Sequence, residues 1–369
     1  MSDPKSIHNK YMKKCFALAK KAEGRTSPNP LVGAILVNKK GEVVSKGYHK
    51  GYGLSHAEVD CIENYEKEGG KSYSDLTLYV NLEPCNHYGK TPPCSDLIIK
   101  KRIKKVVAAT LDPNPKHSGG IQKLKNSGVE VVTGVLENEA KKLNEVFFKN
   151  VKEKAPFVVV KTAVTLDGKI AAKTGSSKWI TSDKSRKSVQ KLRNRYDAIL
   201  TSSNTIIKDN PSMTARGRGY KNPIRIILDT SLKTDPKSKI YNNDGVTVLL
   251  FYCEAKNHNV TDYSQNVELI KVKKNKLGKP DLKAVLKEIY KREINSVMIE
   301  AGGILCGEFL KLNLVDKIYY FAAPKIMGDK DGINFVEGFD ISKIQECRNF
   351  KITAFKNLNP DILLELYPD

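Results

Sequence analysis

Nowhere in the 369 residues does an apolar run approach the roughly eighteen that a membrane-spanning helix requires. The opening M-S-D-P-K-S-I-H-N-K has no apolar h-region, so no secretory signal is expected and the protein is expected to be cytoplasmic. Acidic residues are outnumbered, 41 against 63 lysines and arginines, for a net charge of +22. Such a balance raises the question of nucleic acid. However, no long basic block is interleaved with aromatics, and lysines recur on nearly every expected helix. That is the mark of a lysine-rich background, so neither a nucleic-acid nor a membrane partner is expected. A phosphorylated small substrate would also suit a basic protein and needs only a few of these charges. Cysteine comes as an odd, scattered set of seven, at positions 15, 61, 85, 94, 253, 306 and 347. In a reducing compartment the closely spaced ones read as metal ligands before disulfides. Cys15, Cys61 and Cys306 fall in apolar helical patterns and are expected in the core. No G-x-G-x-x-G follows the first strand of the C-terminal half, which argues against a Rossmann fold there.

What is present is a globular composition, 40% hydrophobic and 28% charged. The chain is long for one core, so two domains are expected. The polar stretch N-V-K-E-K-A-P over 150–156 reads as a linker between a domain at 1–149 and another at 157–369. Periodicity in the first gives the order α-β-β-α-β-α-β-α-β-α, an α/β sandwich around one mixed sheet. The second opens with a buried strand at Phe157–Ala163. A helix capped by Ser182-Asp183, further strands and the step Glu300-Ala301-Gly302-Gly303 into a helix follow.

Two segments carry chemistry. His56-Ala57-Glu58 opens a helix, and V-N-L-E-P-C-N-H-Y-G-K-T-P-P-C runs from Val80 to Cys94. Together they match H-x-E…P-C-x-x-C, the signature of zinc nucleobase deaminases, in which the glutamate is a proton shuttle and not a ligand. His56, Cys85 and Cys94 would supply three ligands, leaving the fourth tetrahedral position for water. Glu58 is the spare carboxylate. A structural zinc site would instead want a fourth ligand, for which His87 is the candidate. The match departs from the signature in one respect, since eight residues separate the cysteines.

That departure is informative. T-S-P-N-P-L-V-G-A, H-A-E and L-E-P-C-N-H-Y-G-K-T-P-P-C together resemble the deaminase domain of the bifunctional riboflavin-biosynthesis deaminase/reductases. This branch of the cytidine deaminase-like superfamily carries a long insert between its cysteines. The resemblance implies that His56, Cys85 and Cys94 hold one zinc per chain and that Glu58 moves the proton. It further implies that Asn29, His49, His87 and Lys90 contact substrate. For His49, a solvated surface histidine is the alternative.

Three stretches of the second half, K-T-A-V-T-L-D-G-K-I-A-A-K-T-G-S-S-K-W-I-T, D-A-I-L-T-S-S-N-T-I-I-K-D-N-P-S-M-T-A-R and I-E-A-G-G, resemble the reductase domain of the same family. This implies a dihydrofolate reductase-like α/β domain that uses NADPH. By that resemblance Ala163, Trp179, Thr205, Asp209 and the loop Gly302, Gly303, Ile304, Leu305, Cys306, Gly307 and Glu308 face the cofactor. Ser177, Arg193, Met213, Arg216 and Glu300 would line the substrate site, with Lys161 and Asp167 as candidate catalytic groups. A core role is the alternative for Trp179, the only tryptophan, and an exposed helix position the alternative for Arg193. The whole would be a hydrolase and oxidoreductase acting on phosphorylated pyrimidines, and a homo-oligomer, dimer or tetramer. Zinc-dependent deamination of a diaminopyrimidine ribotide would precede NADPH-dependent reduction of its ribosyl group to ribityl.

Overall fold

Gly33–Val37 (β1) is buried at every position, as a strand covered on both faces must be. It pairs antiparallel with Val43–Tyr48 (β2) across the Lys39-Lys40-Gly41 turn and with Thr77–Val80 (β3) on its other side. Lys105–Ala108 (β4) and Glu130–Val132 (β5) extend the sheet in parallel, in the order β2-β1-β3-β4-β5. Helices cover both faces: Pro4–Ala19 (α1), Ala57–Lys67 (α2), Cys94–Lys100 (α3), Gly120–Asn126 (α4), Glu137–Leu143 (α5) and Glu145–Glu153 (α6). One apolar cluster joins α2, α3 and α4 to the sheet through Leu36, Leu78, Val80, Val106, Cys61, Ile98 and Leu124. A second, with Met12 and Cys15 of α1 and Ala140 of α5, fills the other face. Burying each aliphatic side chain of this kind contributes about 1.5–3 kcal/mol.

The computed structural model describes residues 4–88 and 92–369. Contacts divide the chain into two units, Met1–Lys154 and Ala155–Asp369. The proposed linker is therefore shorter than its composition implied. Residues 150–153 complete α6, with Asn150 buried, and Lys154 ends the helix in the left-handed conformation. Among the described residues no helix is long and apolar enough to cross a membrane.

In the second unit the strands are Phe157–Val164 (β6), Lys169–Ala171 (β7), Ala198–Ser202 (β8), Ile224–Leu228 (β9), Val248–Tyr252 (β10), Val267–Lys271 (β11), Ser296–Ile299 (β12), Lys317–Ala322 (β13), Ile333–Asn334 (β14), Phe350–Asn357 (β15) and Ile362–Pro368 (β16). Nine of them form one sheet in the order β11-β10-β9-β8-β12-β6-β13-β16-β15, parallel from β11 to β13 and antiparallel beyond. The remaining two, β7 and β14, pair with each other. Helices Asp183–Arg195 (α7), Ser203–Asp209 (α8), Leu282–Lys291 (α9) and Gly303–Lys311 (α10) complete the unit. Val158, Val160, Leu200, Ile226, Phe251, Val285, Ile289, Val297 and Phe309 form its main core. The expected cap at Ser182 is in place, accepting from Ser185 N, and Asp281 caps α9 by accepting from Ala284 N.

Candidate functional site

In an α/β sheet, ligands gather beyond the C-terminal ends of parallel strands. In the first unit two such ends are neighbours. The loop after β3 carries Cys85 and delivers Cys94 to the first turn of α3, while His56 caps α2 nearby. Close packing makes this possible: a Cβ on Gly47 would come within 2.2 Å of Cys61 N, so glycine lets α2 lie directly on β2. A Cβ on Gly120 would likewise strike Pro84 O at 1.8 Å, so α4 abuts the Cys85 loop.

The three ligand atoms lie within 4.8 Å of one another. His56 Nδ1 is 3.3 Å from Cys94 Sγ and 3.6 Å from Cys85 Sγ. Bonds of about 2.3 Å to sulfur and 2.0–2.1 Å to nitrogen span a tetrahedral edge of about 3.5 Å, so the separations fit zinc. Two soft sulfurs with an imidazole also suit that metal. Cys94 N donates to Cys85 Sγ at 3.3 Å, the contact a thiolate wants. Contact with Cys94, and then with His56, draws the Cys85 thiol down, whereas Cys85 pushes Cys94 up. His56 is raised to about 9, first by Cys85. Glu58, 4% exposed in the first turn of α2, has its carboxyl pushed to about 7 by burial, with Cys85 adding to the effect.

His49 corrects the surface alternative, for it is 3% exposed. Its Nδ1 donates to Ser55 O at 3.0 Å, which leaves Nε2 to accept from Asn29 Nδ2 at 3.1 Å. Burial lowers its pKa, so the ring is neutral in this arrangement. It meets the His56 ring edge-on, with centroids 5.9 Å apart. The loop bearing Asn29 is clamped at Leu31, whose N–H donates to Asn144 Oδ1 and whose carbonyl accepts from Asn81 and Asn144. His87 is not among the three clustered ligands; its ring stacks on His117. Burial lowers the pKa of His117 as well. Lys90 lies outside the described residues.

Sequence reasoning passed over Glu83. Its two carboxylate oxygens accept from Asp112 N, Gly119 N and Ile121 N at 2.9–3.0 Å, lacing the loop after β4 to the loop after β3. Its position immediately before Pro84-Cys85 was the available signal.

In the second unit β12 pairs with β6 so that Ile299 lies opposite Val160, which puts Glu300 beside Lys161. Lys161 Nζ is 2.9 Å from Glu300 Oε2, and Arg193 of α7 forks onto the same carboxylate at 2.8 and 3.0 Å. Arg193 also donates to Thr214 O and approaches Met213 Sδ. The exposed-helix alternative for Arg193 is thus excluded. Glu300 and Thr214 take up its Nε, Nη1 and Nη2 donors. Burial alone would raise the Glu300 carboxyl, but Arg193 and Lys161 hold it well below the usual range.

Asp167 is not brought to this cluster by any contact seen. It sits on the exposed turn between β6 and β7, accepting from Met327 N and Gly328 N. Thr165, then these two N–H groups, hold its carboxyl well below the ordinary range. Trp179 is 66% exposed, against a core role, and stacks on Arg186 at 4.4 Å. Gly302 caps α10, and a Cβ there would meet nothing within 4 Å. Ile304 is 65% exposed, but Cys306 points into the core, a Cβ on Gly307 would strike Glu337 O, and Glu308 accepts from Asn275. The open positions of that loop are therefore Gly302 and Ile304, whereas Gly303 is buried against Asn334 O. Ser177 and Ala163 are half-buried, as is Thr205, which contacts Ser202 Oγ. Asp209 is exposed, and so is Arg216, whose N–H donates to Gln190.

Fold and site define a zinc-deaminase-type unit followed by a second α/β unit of another type. Residues 5–110 match the cytidine and deoxycytidylate deaminase zinc-binding region, and residues 156–364 match the RibD C-terminal domain. The chain is 41% identical to the riboflavin biosynthesis protein RibD of Aquifex aeolicus, with 98% of each covered, and 34% identical to that of Escherichia coli, with 96% of this chain and 98% of that one covered. It superimposes on the crystal structure of a diaminohydroxyphosphoribosylaminopyrimidine deaminase/5-amino-6-(5-phosphoribosylamino)uracil reductase from Thermotoga maritima with a TM-score of 0.88, at 39% identity and with 100% of both chains covered. The chain belongs to the RibD family, the bifunctional deaminase/reductases of riboflavin biosynthesis.

Proposed function

We propose that the first unit hydrolytically deaminates 2,5-diamino-6-ribosylamino-4(3H)-pyrimidinone 5′-phosphate and that the second reduces the ribosyl group of the product to ribityl with NADPH. The observation that carries this reading is the His56–Cys85–Cys94 cluster with Glu58 buried beside it, within a chain alike over its whole length to a protein of those two activities. Zinc, held by those three residues, supplies the Lewis acidity that makes water a nucleophile near neutral pH. Glu58 takes the first proton from the attacking water and gives it to a ring nitrogen, then takes the second from the hydroxyl of the tetrahedral adduct and gives it to the departing amine, which leaves as ammonia. Asn29 is oriented by His49: Asn29 Nδ2 donates to His49 Nε2, which leaves Asn29 Oδ1 to accept from an amino group of the pyrimidine. His87 is a further substrate contact, and Lys90 suits the phosphate by its charge.

In the second unit the N-terminus of α10, where the N-cap Gly302 leaves the backbone N–H groups without a side-chain partner, and the exposed Trp179 ring fit a dinucleotide's phosphates and flat rings. NADPH supplies the hydride. Lys161 and Glu300 hold the ribosyl end of the substrate by hydrogen bonds, and Arg216, left exposed, takes its phosphate.

The test follows ammonia release and NADPH consumption by the full chain on the diaminopyrimidine ribotide. Glu58→Gln should keep its zinc and lose ammonia release by at least about a hundredfold, while NADPH consumption on the deaminated product persists. Deamination at the wild-type rate would remove Glu58 from the mechanism. A chain that releases no ammonia from this substrate, although zinc-loaded, would remove the assignment itself.

A further inference from the structure

His117 belongs to none of the motifs quoted above, yet its ring stacks on His87, two residues from the candidate ligand Cys85. It lies on the loop that follows β4, at the same sheet edge as the Cys85 loop. Its ring stacks on that of His87 with centroids 4.2 Å apart and planes 18° from parallel. The stack is held from several directions. His117 O accepts from Asn86 N at 3.0 Å, and His117 N donates to Asn114 O at 2.9 Å. Asn114 Nδ2 donates to His117 Nδ1 at 3.4 Å, and Asn114 N is in turn fixed by Asp112 Oδ1 at 2.8 Å. Glu83 then laces both ends of this loop back to the Cys85 loop.

The ring held by this scaffold is not itself satisfied. His87 Nδ1 is buried and has no hydrogen-bond partner among the described residues. Buried polar atoms are nearly always paired, so an orphan beside a metal-ligand cluster marks a group kept for a ligand. His87 is two residues from Cys85, in the long insert between the two cysteines. A histidine on a loop would ordinarily lose side-chain freedom when a ligand binds, which weakens binding. A flat partner stacked at contact distance removes that freedom beforehand.

We propose that His117 is a positioning residue of the deaminase site, stacked behind His87 so that the His87 ring is set in advance for a polar edge of the aminopyrimidine substrate. This deepens the functional reading above and rests on its assignment of His87 as a substrate contact. His117 touches neither the metal ligands nor the reacting atoms in this scheme. Its effect therefore falls on substrate binding and not on the chemical step.

The experiment is a cycle of His117→Ala, His87→Ala and the double variant, with His117→Phe as the variant that keeps a flat ring. Ammonia release gives KM and kcat, and zinc content is measured on each protein. His117→Ala should raise KM about three- to tenfold, the range expected for loss of one ring stack, with kcat and zinc near wild type. His117→Phe should bring KM back to within about twofold, and His117→Ala should add nothing in the His87→Ala background. An unchanged KM in His117→Ala, while His87→Ala raises it, overturns the role of His117 alone. So does a loss of zinc and kcat that His117→Phe fails to repair, since that is a structural role. A His87→Ala variant with wild-type KM overturns the His87 assignment and this proposal with it.

Discussion

Glu300 is the residue on which the second unit's polar site closes, and its removal has a calculable cost. Its carboxylate, 8% exposed, accepts from Arg193 at 2.8 and 3.0 Å and from Lys161 at 2.9 Å. The two cationic side chains are themselves only 13% and 15% exposed. Glu300→Gln preserves shape but leaves two buried positive charges facing a neutral amide. Breaking a buried pair from one side costs about 3–5 kcal/mol, because the remaining charge is left without compensation. For a unit of this size each kcal/mol corresponds to about 2–4 °C in Tm, so a fall of roughly 6–20 °C is expected. Calorimetry of the full chain reads it, and Trp179 fluorescence identifies the transition that belongs to the second unit. The companion variant replaces all three groups with apolar ones, Glu300→Leu with Arg193→Met and Lys161→Met. It should recover most of the loss, since no charge then remains buried. A single variant that loses less than about 1 kcal/mol, or a triple variant no better than the single, would refute the claim that uncompensated charge is what Glu300 prevents.

Two further outcomes follow from neighbouring geometry. Asp361 Oδ2 accepts from Ser182 N, Ser182 Oγ and Ser185 Oγ at 2.5–2.7 Å, anchoring the start of α7. Burial opposes its ionisation, but Ser185 and Ser182 prevail and hold it below the ordinary value. A depressed carboxyl contributes stability that is complete above its unfolded value, near pH 4, and is lost as pH falls through the folded one. Asp361→Asn should therefore cost about 1.5–3 kcal/mol at pH 7, with the gap to wild type closing as pH falls below about 4 in denaturation curves; a pH-independent gap would contradict this. Arg186 stacks on Trp179 and donates to Thr181 O at 2.6 Å. If Trp179 faces NADPH, Arg186→Ala should weaken NADPH binding about three- to tenfold. Quenching of the single tryptophan's emission measures this, and an unchanged Kd would separate Trp179 from the cofactor.

The order of elements was legible because each carries its own period and punctuation. His56 does cap α2, Gly302 does cap α10, and the first sheet is mixed as expected. The misread linker shows what composition hides. N-V-K-E-K is polar, but the run behind Phe147 and Phe148 continues at helical spacing, and a left-handed Lys154 is as effective a stop as a glycine. Strand β15 shows the opposite limit. Nearly every position is exposed, so no buried face imprints alternation on its sequence, and only pairing with β16 defines it.

At the sites, sequence supplied residue types and family supplied roles, while partnership was the part neither could give. Arg193 illustrates this, for it lies four residues after buried Val189 and next to buried Leu192, on the inward side of α7. That spacing was readable as burial, but the identity of its counter-ion was not, because Glu300 arrives from a strand 107 residues away. The same holds at the metal site. The three ligands and Glu58 are held in two short segments whose spacing announces them. Glu83 and His117 act across the ends of two adjacent parallel strands, where sequence distance carries no signal. The long insert between Cys85 and Cys94 therefore does more than mark a branch of the family. It carries His87, whose ring stacks on His117 of a neighbouring loop, so under the proposal above the choice of substrate is shared between a segment that the motif names and one that it does not.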